Sequence, residues 1–178
     1  MEYPWYQDIE DSGDLQQGDF IPQCPIFVPP TSFKEDDILD IEIKLIDSLV
    51  LSQSCDLVNN NIDIVLVCPY FTLKTFIDSL PSDQVNSKKA VTRIIDNLRK
   101  GFLPGYHLLN KDRVLFNDYL VVDFRNVYGI QIESLREICN SMKKRTRLLP
   151  PYREHLSQSF ARYFMRVGLP QDIEIEGY

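Results

Sequence analysis

The chain has 178 residues, 44% of them apolar and 25% charged, with a formal net charge of −7. That length suits one domain with a sizeable core, and the composition excludes the disordered and fibrous classes. No apolar run approaches the roughly 20 residues that cross a bilayer, and the opening MEYPWYQDIEDSGD lacks the basic region and apolar core of a signal peptide. A cytoplasmic protein with no membrane partner is expected.

In chain order, residues 12–30 (SGDLQQGDFIPQCPIFVPP) turn at Gly18-Asp19 and then read as an edge strand, because Pro22 and Pro25 cannot donate to a central ladder. DDILDIEIKLIDSLVLSQSCD alternates at Ile41, Ile43 and Leu45 before the denser run LVLS, which predicts two strands joined by a turn near Asp47-Ser48. Asn59, Asn60 and Asn61 make a further turn into IDIVLVCPYF, a β-branched buried strand stopped at Pro69. Residues 84–100 switch to helical period, with Val91, Ile94, Ile95 and Leu98 in one stripe, Ser87 as N-cap, Arg99 and Lys100 suited to the C-terminal dipole, and Gly101 just beyond. FLPGYHLL turns at Pro104-Gly105 and re-enters the sheet; RVLF and DYLVVDFRNVYGI predict two more strands, and IESLREICNSMKK a short helix. The pattern predicts an α+β fold: a small, partly closed antiparallel β-barrel packed by two to three helices. It reads as one domain over 1–178, with a barrel core at 12–130 into which helix 84–100 is inserted, and a helical part at 131–170. A parallel βαβ sheet would need regular strand–helix alternation and a glycine-rich phosphate loop, and neither is present.

Charge is segregated. Residues 1–80 carry fifteen carboxylates against three lysines, whereas residues 81–166 carry sixteen basic side chains against eight acids. Either the halves neutralise each other, across the fold or across an oligomer, or the basic half meets a polyanion. The basic half ends in the helix LLPPYREHLSQSFARYFMRVGLP, bounded by Pro150-Pro151 and Gly168. Leu156, Phe160, Tyr163 and Val167 share its buried face, and His155, Ser159, Arg162 and Arg166 form an adjacent stripe. Lys143, Lys144, Arg145 and Arg147 precede it. These four, with Arg162 and Arg166, are the candidate nucleic-acid contacts, since basic side chains position phosphates. His155 can also move a proton near neutral pH. Pairing of the same arginines with the acidic half is the alternative.

The stretch VLSQSCDLVNN (50–60) places Cys55 and Asp56 at a strand tip, where loop chemistry usually sits. Cys55, Asp56 and His155 are the candidate catalytic set: a thiol nucleophile needs a base within hydrogen-bond reach, and His107 and His155 are the only histidines. The competing reading makes Cys55 structural, with Asp56 capping a turn and Ser52, Gln53 and Ser54 satisfying backbone. The four cysteines contain no CxxC pair and read as reduced thiols; Cys68 and Cys139 suit the core. A zinc site from Cys24, Cys55, Cys68 and His107 is conceivable but nothing in the spacing requires it, so no metal and no cofactor is expected.

Gly18-Asp19-Phe20, the proline-broken strand after it, LVLSQSCDL ending at Ser52, and IDIVLVCPY ending at Pro69 together resemble the MazF/PemK-like toxins over residues 15–75. That resemblance implies an SH3-like barrel and a homodimeric, metal-independent endoribonuclease neutralised by an antitoxin. The arginine this family carries before its second strand is absent, and Asp47 stands near the place. The whole chain also resembles a group of bacterial proteins with an SQSCDL-type loop and a PPYREHLSQSFARYFMRVGLP-type C-terminus, which implies a prokaryotic domain and no particular activity. The expected function is RNA or polyphosphate binding within a toxin–antitoxin or antiviral defence system, with endoribonuclease chemistry as its extension. A non-catalytic protein–protein interaction subunit and a Cys–His hydrolase are the alternatives.

Overall fold

The structure is a computed structural model and describes residues 3–10, 14–32 and 41–165. Its elements are β1 (Tyr6–Glu10), β2 (Phe20–Val28), β3 (Glu42–Val50), α1 (Ser54–Val58), β4 (Ile64–Thr72), α2 (Leu73–Asp78), α3 (Lys88–Arg99), β5 (Tyr106–Leu109), β6 (Leu120–Asp123), β7 (Tyr128–Gln131), α4 (Ile132–Ser141), β8 (Lys144–Leu148) and α5 (Tyr152–Phe164). The fold is α+β, and every strand pair is antiparallel. None of these helices is long and apolar enough to cross a membrane.

Strand order in the larger sheet is β2-β3-β4-β6-β5, with β7 also on β4; β1 and β8 form a separate pair. Both prolines of β2 fall where no ladder donor is needed. Pro22 lies in a bulge between Ile21 and Cys24, and the bulged Gln23 adopts a left-handed φ of 52°. Asp47 Oδ1 accepts hydrogen bonds from the Gln23 backbone N–H at 2.9 Å and from its Nε2 at 3.1 Å. The predicted turn at Asp47-Ser48 therefore does not form. Its polar residues face the bulge of the neighbouring strand, and β3 runs unbroken from Glu42 to Val50.

β4 is central. β3 pairs with its middle, while the opposite edge takes β7 along Ile64–Val67 and β6 along Tyr70–Thr72. The single strand predicted over DYLVVDFRNVYGI is thus two pieces in line, interrupted at 124–127. Asp123 holds the excursion: its carboxylate accepts from Arg125 N, Nε and Nη2 and from Asn126 Nδ2, each at 2.9 Å. RVLF is not a strand, because Asp112 Oδ1 accepts from the N–H groups of Val114 and Leu115 and curls the segment into a turn. The ladder also stays open. β2 and β7 are not hydrogen-bonded to each other, and a cleft of about 400 Å³ lined by Pro25, Phe27, Tyr128 and Ile130 lies between them.

Helix α3 forms as its sequence signals require. Ser87 Oγ accepts from Ala90 N at 3.2 Å, and Gly101, with φ at +71°, follows the last turn. Leu98 is buried with Phe76 and Val121, which fixes α3 against β5 and β6. Helix α5 buries Leu156 among Phe20, Leu49, Val122, Phe124 and Leu148, and the Trp5 ring stacks on Tyr152 at 3.5 Å. These two anchorages set the distance between the end of α3 and the first turns of α5.

Candidate phosphate-binding cleft

With Leu156 turned into the core, His155, Ser159 and Arg162 project from one side of α5 toward the C-terminal end of α3 and the strand β5. A cleft of about 170 Å³ results, lined by Arg99, Lys100, His107, His155, Ser159 and Arg162 among others. Among the described residues no carboxylate lines it. Arg99 shares its charge with Asp96 at 3.3 Å, one turn back on α3.

His107 forms the wall. It is buried on β5 beside Phe124, and its ring meets that of His155 edge to face with centroids 5.0 Å apart. Burial, and then the neighbouring His155, push its pKa down to about 3. His107 is therefore a neutral, fixed imidazole at neutral pH, whereas His155 is exposed at the mouth. Outside the cleft the positive surface continues along α3. Lys89, Arg93 and Lys100 follow one another on its outward face, flanked by Lys88 and interrupted by Asp96. Phe102, just past the helix, is 68% exposed. Arg99 and Lys100 had a purely helical explanation in the sequence, as complements of the α3 dipole; their second role depends on α5 arriving from 50 residues later.

The residues named from sequence do not gather at one place. Lys143 is exposed, and Lys144 pairs with Asp8 at 3.0 Å across the β1–β8 ladder. Arg145 and Arg147 are buried, not displayed. Both guanidiniums bind Asp19, Arg145 Nε at 2.8 Å and Arg147 through Nε and Nη2, and both donate to the Asp14 carbonyl. The run KRTRL is a strand whose alternate side chains turn inward to a carboxylate of the acidic half. Of the five that are described, Arg162 alone reaches the cleft; Arg166 lies outside the described residues.

Cys55 and His155 are not brought together. Helix α5 does pack beside the SQSCD rim, but it presents Ser157, Phe160 and Ala161 to Ser52, Gln53 and Asp56. Those three positions lie roughly 140–240° around the helix from His155. Cys55 is exposed on the short helix α1, its Sγ 3.7 Å from Gln53 Oε1, whereas both histidines line the cleft between α3 and α5. The polar residues of the rim are tied to local backbone. Ser52 Oγ accepts from Leu66 N at 2.8 Å, Ser54 Oγ accepts from Gln17 N at 3.1 Å, and Gln17 Nε2 donates to the Leu51 carbonyl at 2.7 Å.

Cys24 and Cys139 share one core cluster and Cys68 belongs to another. Burial raises all three thiols, Cys24 and Cys139 to about 11 and Cys68 well above its ordinary value. Among the described residues no group of three or more His, Cys, Asp or Glu side chains is placed to hold a metal ion. Set against known proteins, the chain matches no family model and no curated protein.

Proposed function

We propose that this protein binds RNA or a similar polyphosphate along the outward face of α3 and in the cleft between α3 and α5. One observation carries the reading: Lys88, Lys89, Arg93, Arg99 and Lys100 stand against a single acid of α3, Asp96, and their stripe leads into a cleft whose described lining holds Arg162 and His155 and no carboxylate. From Lys89 to Lys100 the stripe is about 16 Å long at the helical rise, enough to follow several phosphates. Guanidiniums suit phosphate oxygens through paired N–H donors, and the exposed Phe102 ring is a stacking surface for a base.

Metal-independent strand cleavage is the catalytic extension of this reading. His155 would take the proton of a ribose 2′-hydroxyl, whose oxygen attacks the adjacent phosphorus. The bond to the 5′-oxygen breaks and that oxygen takes a proton from water, leaving a 2′,3′-cyclic phosphate, while Arg162 holds the non-bridging oxygens. The resemblance of residues 15–75 to MazF/PemK-like toxins supports a role in a toxin–antitoxin or defence system. We read the SH3-like barrel of those toxins into the sheet as an open form, with β2 and β7, which share no hydrogen bonds, as its two lips.

Fluorescence anisotropy with a labelled single-stranded RNA tests the proposal. Saturable binding at low salt, weakening linearly in log affinity against log salt, is expected. Lys100→Ala/Arg162→Ala should weaken it at least tenfold, and His155→Ala should keep binding while losing cleavage. Failure of the wild type to bind at low salt, or equal binding by the double variant, overturns it.

A different observation favours the alternative of a non-catalytic interaction subunit. Phe27, Ile43 and Leu45 are 66%, 54% and 59% exposed on the β2–β3 hairpin, an apolar face suited to protein and not to phosphate. That reading predicts no turnover and a defined complex on co-purification.

A further inference from the structure

The β2–β3 hairpin projects as an arm. β3 pairs with β4 only through Ser48, Leu49 and Val50, so from Glu42 to Asp47 its second edge has no partner strand among the described residues. Residues 41–45 are all exposed. An unpaired, exposed edge of this length is a template for another strand unless its side chains forbid pairing.

Backbone alternation shows which groups line that edge. Val50 bonds to β2, its N–H donating to Asp19 O and its C=O accepting from Gly18 N, whereas Leu51 N donates to Leu66 O on the other side. Odd-numbered residues of β3 thus aim their N–H and C=O groups toward the open edge, even-numbered ones toward β2. The position of Pro25 agrees: it stands opposite Leu45, where β2 needs no donor.

We infer that this edge pairs with the same edge of a second copy of the chain, antiparallel about a two-fold axis through Ile43. The sequence Ile41-Glu42-Ile43-Lys44-Leu45 is self-complementary in that register. Ile43 exchanges two hydrogen bonds with its symmetry mate, and Ile41 stands opposite Leu45 of the second copy in a further hydrogen-bonded pair. Glu42 faces Lys44 in the intervening non-hydrogen-bonded pairs, where side chains are closest. Shifting the axis to Lys44 would set two ammonium groups against each other. A lone lysine on an edge strand normally blocks pairing; here each is met by a carboxylate, twice per dimer. On the opposite face Ile41, Ile43 and Leu45 each gain a cross-strand neighbour, and Phe27, beside Ile43 on β2, extends the apolar strip in both copies. The arrangement is isologous and closes at two chains.

Sedimentation equilibrium of the full chain, from low- to high-micromolar concentration, tests the inference. The wild type is expected at dimer mass. Glu42→Lys and Lys44→Glu, each placing like charges in both outer pairs, are expected at monomer mass, and Glu42→Lys/Lys44→Glu, which restores the pairing in reverse, at dimer mass. Ile43→Pro removes an N–H that serves only the open edge and should also give monomer, with an unchanged circular dichroism spectrum. A monomeric wild type overturns the proposal, as does a dimer that survives both single reversals or a double variant that stays monomeric.

Discussion

His107 and His155 meet edge to face at 5.0 Å, one buried in the cleft wall and the other open to solvent. The pair makes fold stability sensitive to acid through its buried member. His107 is held neutral in the fold with a pKa near 3, against an unfolded value near 6.5. Between those values the unfolded chain binds the extra proton, so the contribution of His107 is complete above about pH 6.5 and falls as pH drops, by about 1.4 kcal/mol per pH unit. By pH 5 about 2 kcal/mol should be lost from this group. Urea unfolding at pH 7 and pH 5 checks it: His107→Phe should remove most of the difference. An equal loss in wild type and variant would show that the group is not neutral in the fold.

The Asp19 carboxylate sits between two buried arginines. It is fully buried and pairs with two guanidiniums, so Asp19→Ala leaves Arg145 and Arg147 side by side without the carboxylate they share. Removing one partner of a buried ion pair costs about 3–5 kcal/mol. Asp19→Ala is expected to lower the urea midpoint sharply or prevent folding, whereas Lys144→Ala, which breaks only the exposed pair with Asp8, should change stability by less than about 1 kcal/mol. Similar losses from the two variants would overturn the distinction.

That same triad shows where sequence reading stops. Helix α3 was legible because its signals are local: Ser87 caps it, Gly101 ends it, and Val91, Ile94, Ile95 and Leu98 are spaced at its period. Helix α4 was legible from the spacing of Ile132, Leu135 and Cys139 alone, with no side-chain cap. Lys144–Leu148 was not, because a run of like charges carries the same composition on a solvated surface as in a strand. What turns Arg145 and Arg147 inward is Asp19, more than 120 residues away. The cleft divides likewise. His155, Ser159 and Arg162 share a stripe by helical period alone, but their partners Arg99, Lys100 and His107 reach them only through the packing of α3 and α5 on β5 and β6.

Gly129 sits where a methyl group does not fit. A Cβ there would lie 2.7 Å from Ile64 Cγ2, at the point where β7 runs against β4. Gly129→Ala is expected to cost about 0.5–1.5 kcal/mol, the cost of pushing the half-exposed Ile64 side chain off its rotamer. Ile64 is half exposed, so truncating it should cost little and make room. In a double-mutant cycle Ile64→Ala should therefore recover most of the loss, and additive effects would show that the contact is not its cause.

Cys55 offers the cleanest separation of exposure from chemistry. It is the one exposed thiol of the four; burial covers Cys24, Cys68 and Cys139 and raises their pKa values. Native protein at pH 7.5 should therefore take up one equivalent of iodoacetamide quickly, and the other three only on unfolding in guanidinium. Fast labelling would not make Cys55 a nucleophile, because its thiol meets the Gln53 side-chain amide and His155 lies on the far side of α5. Cys55→Ser should leave RNA affinity and any cleavage rate within about twofold of wild type, since a substitution away from a buried network or a contact surface rarely exceeds about 0.5 kcal/mol. A loss of tenfold or more, with the melting temperature unchanged, would move the working site from the α3–α5 cleft to the SQSCD rim.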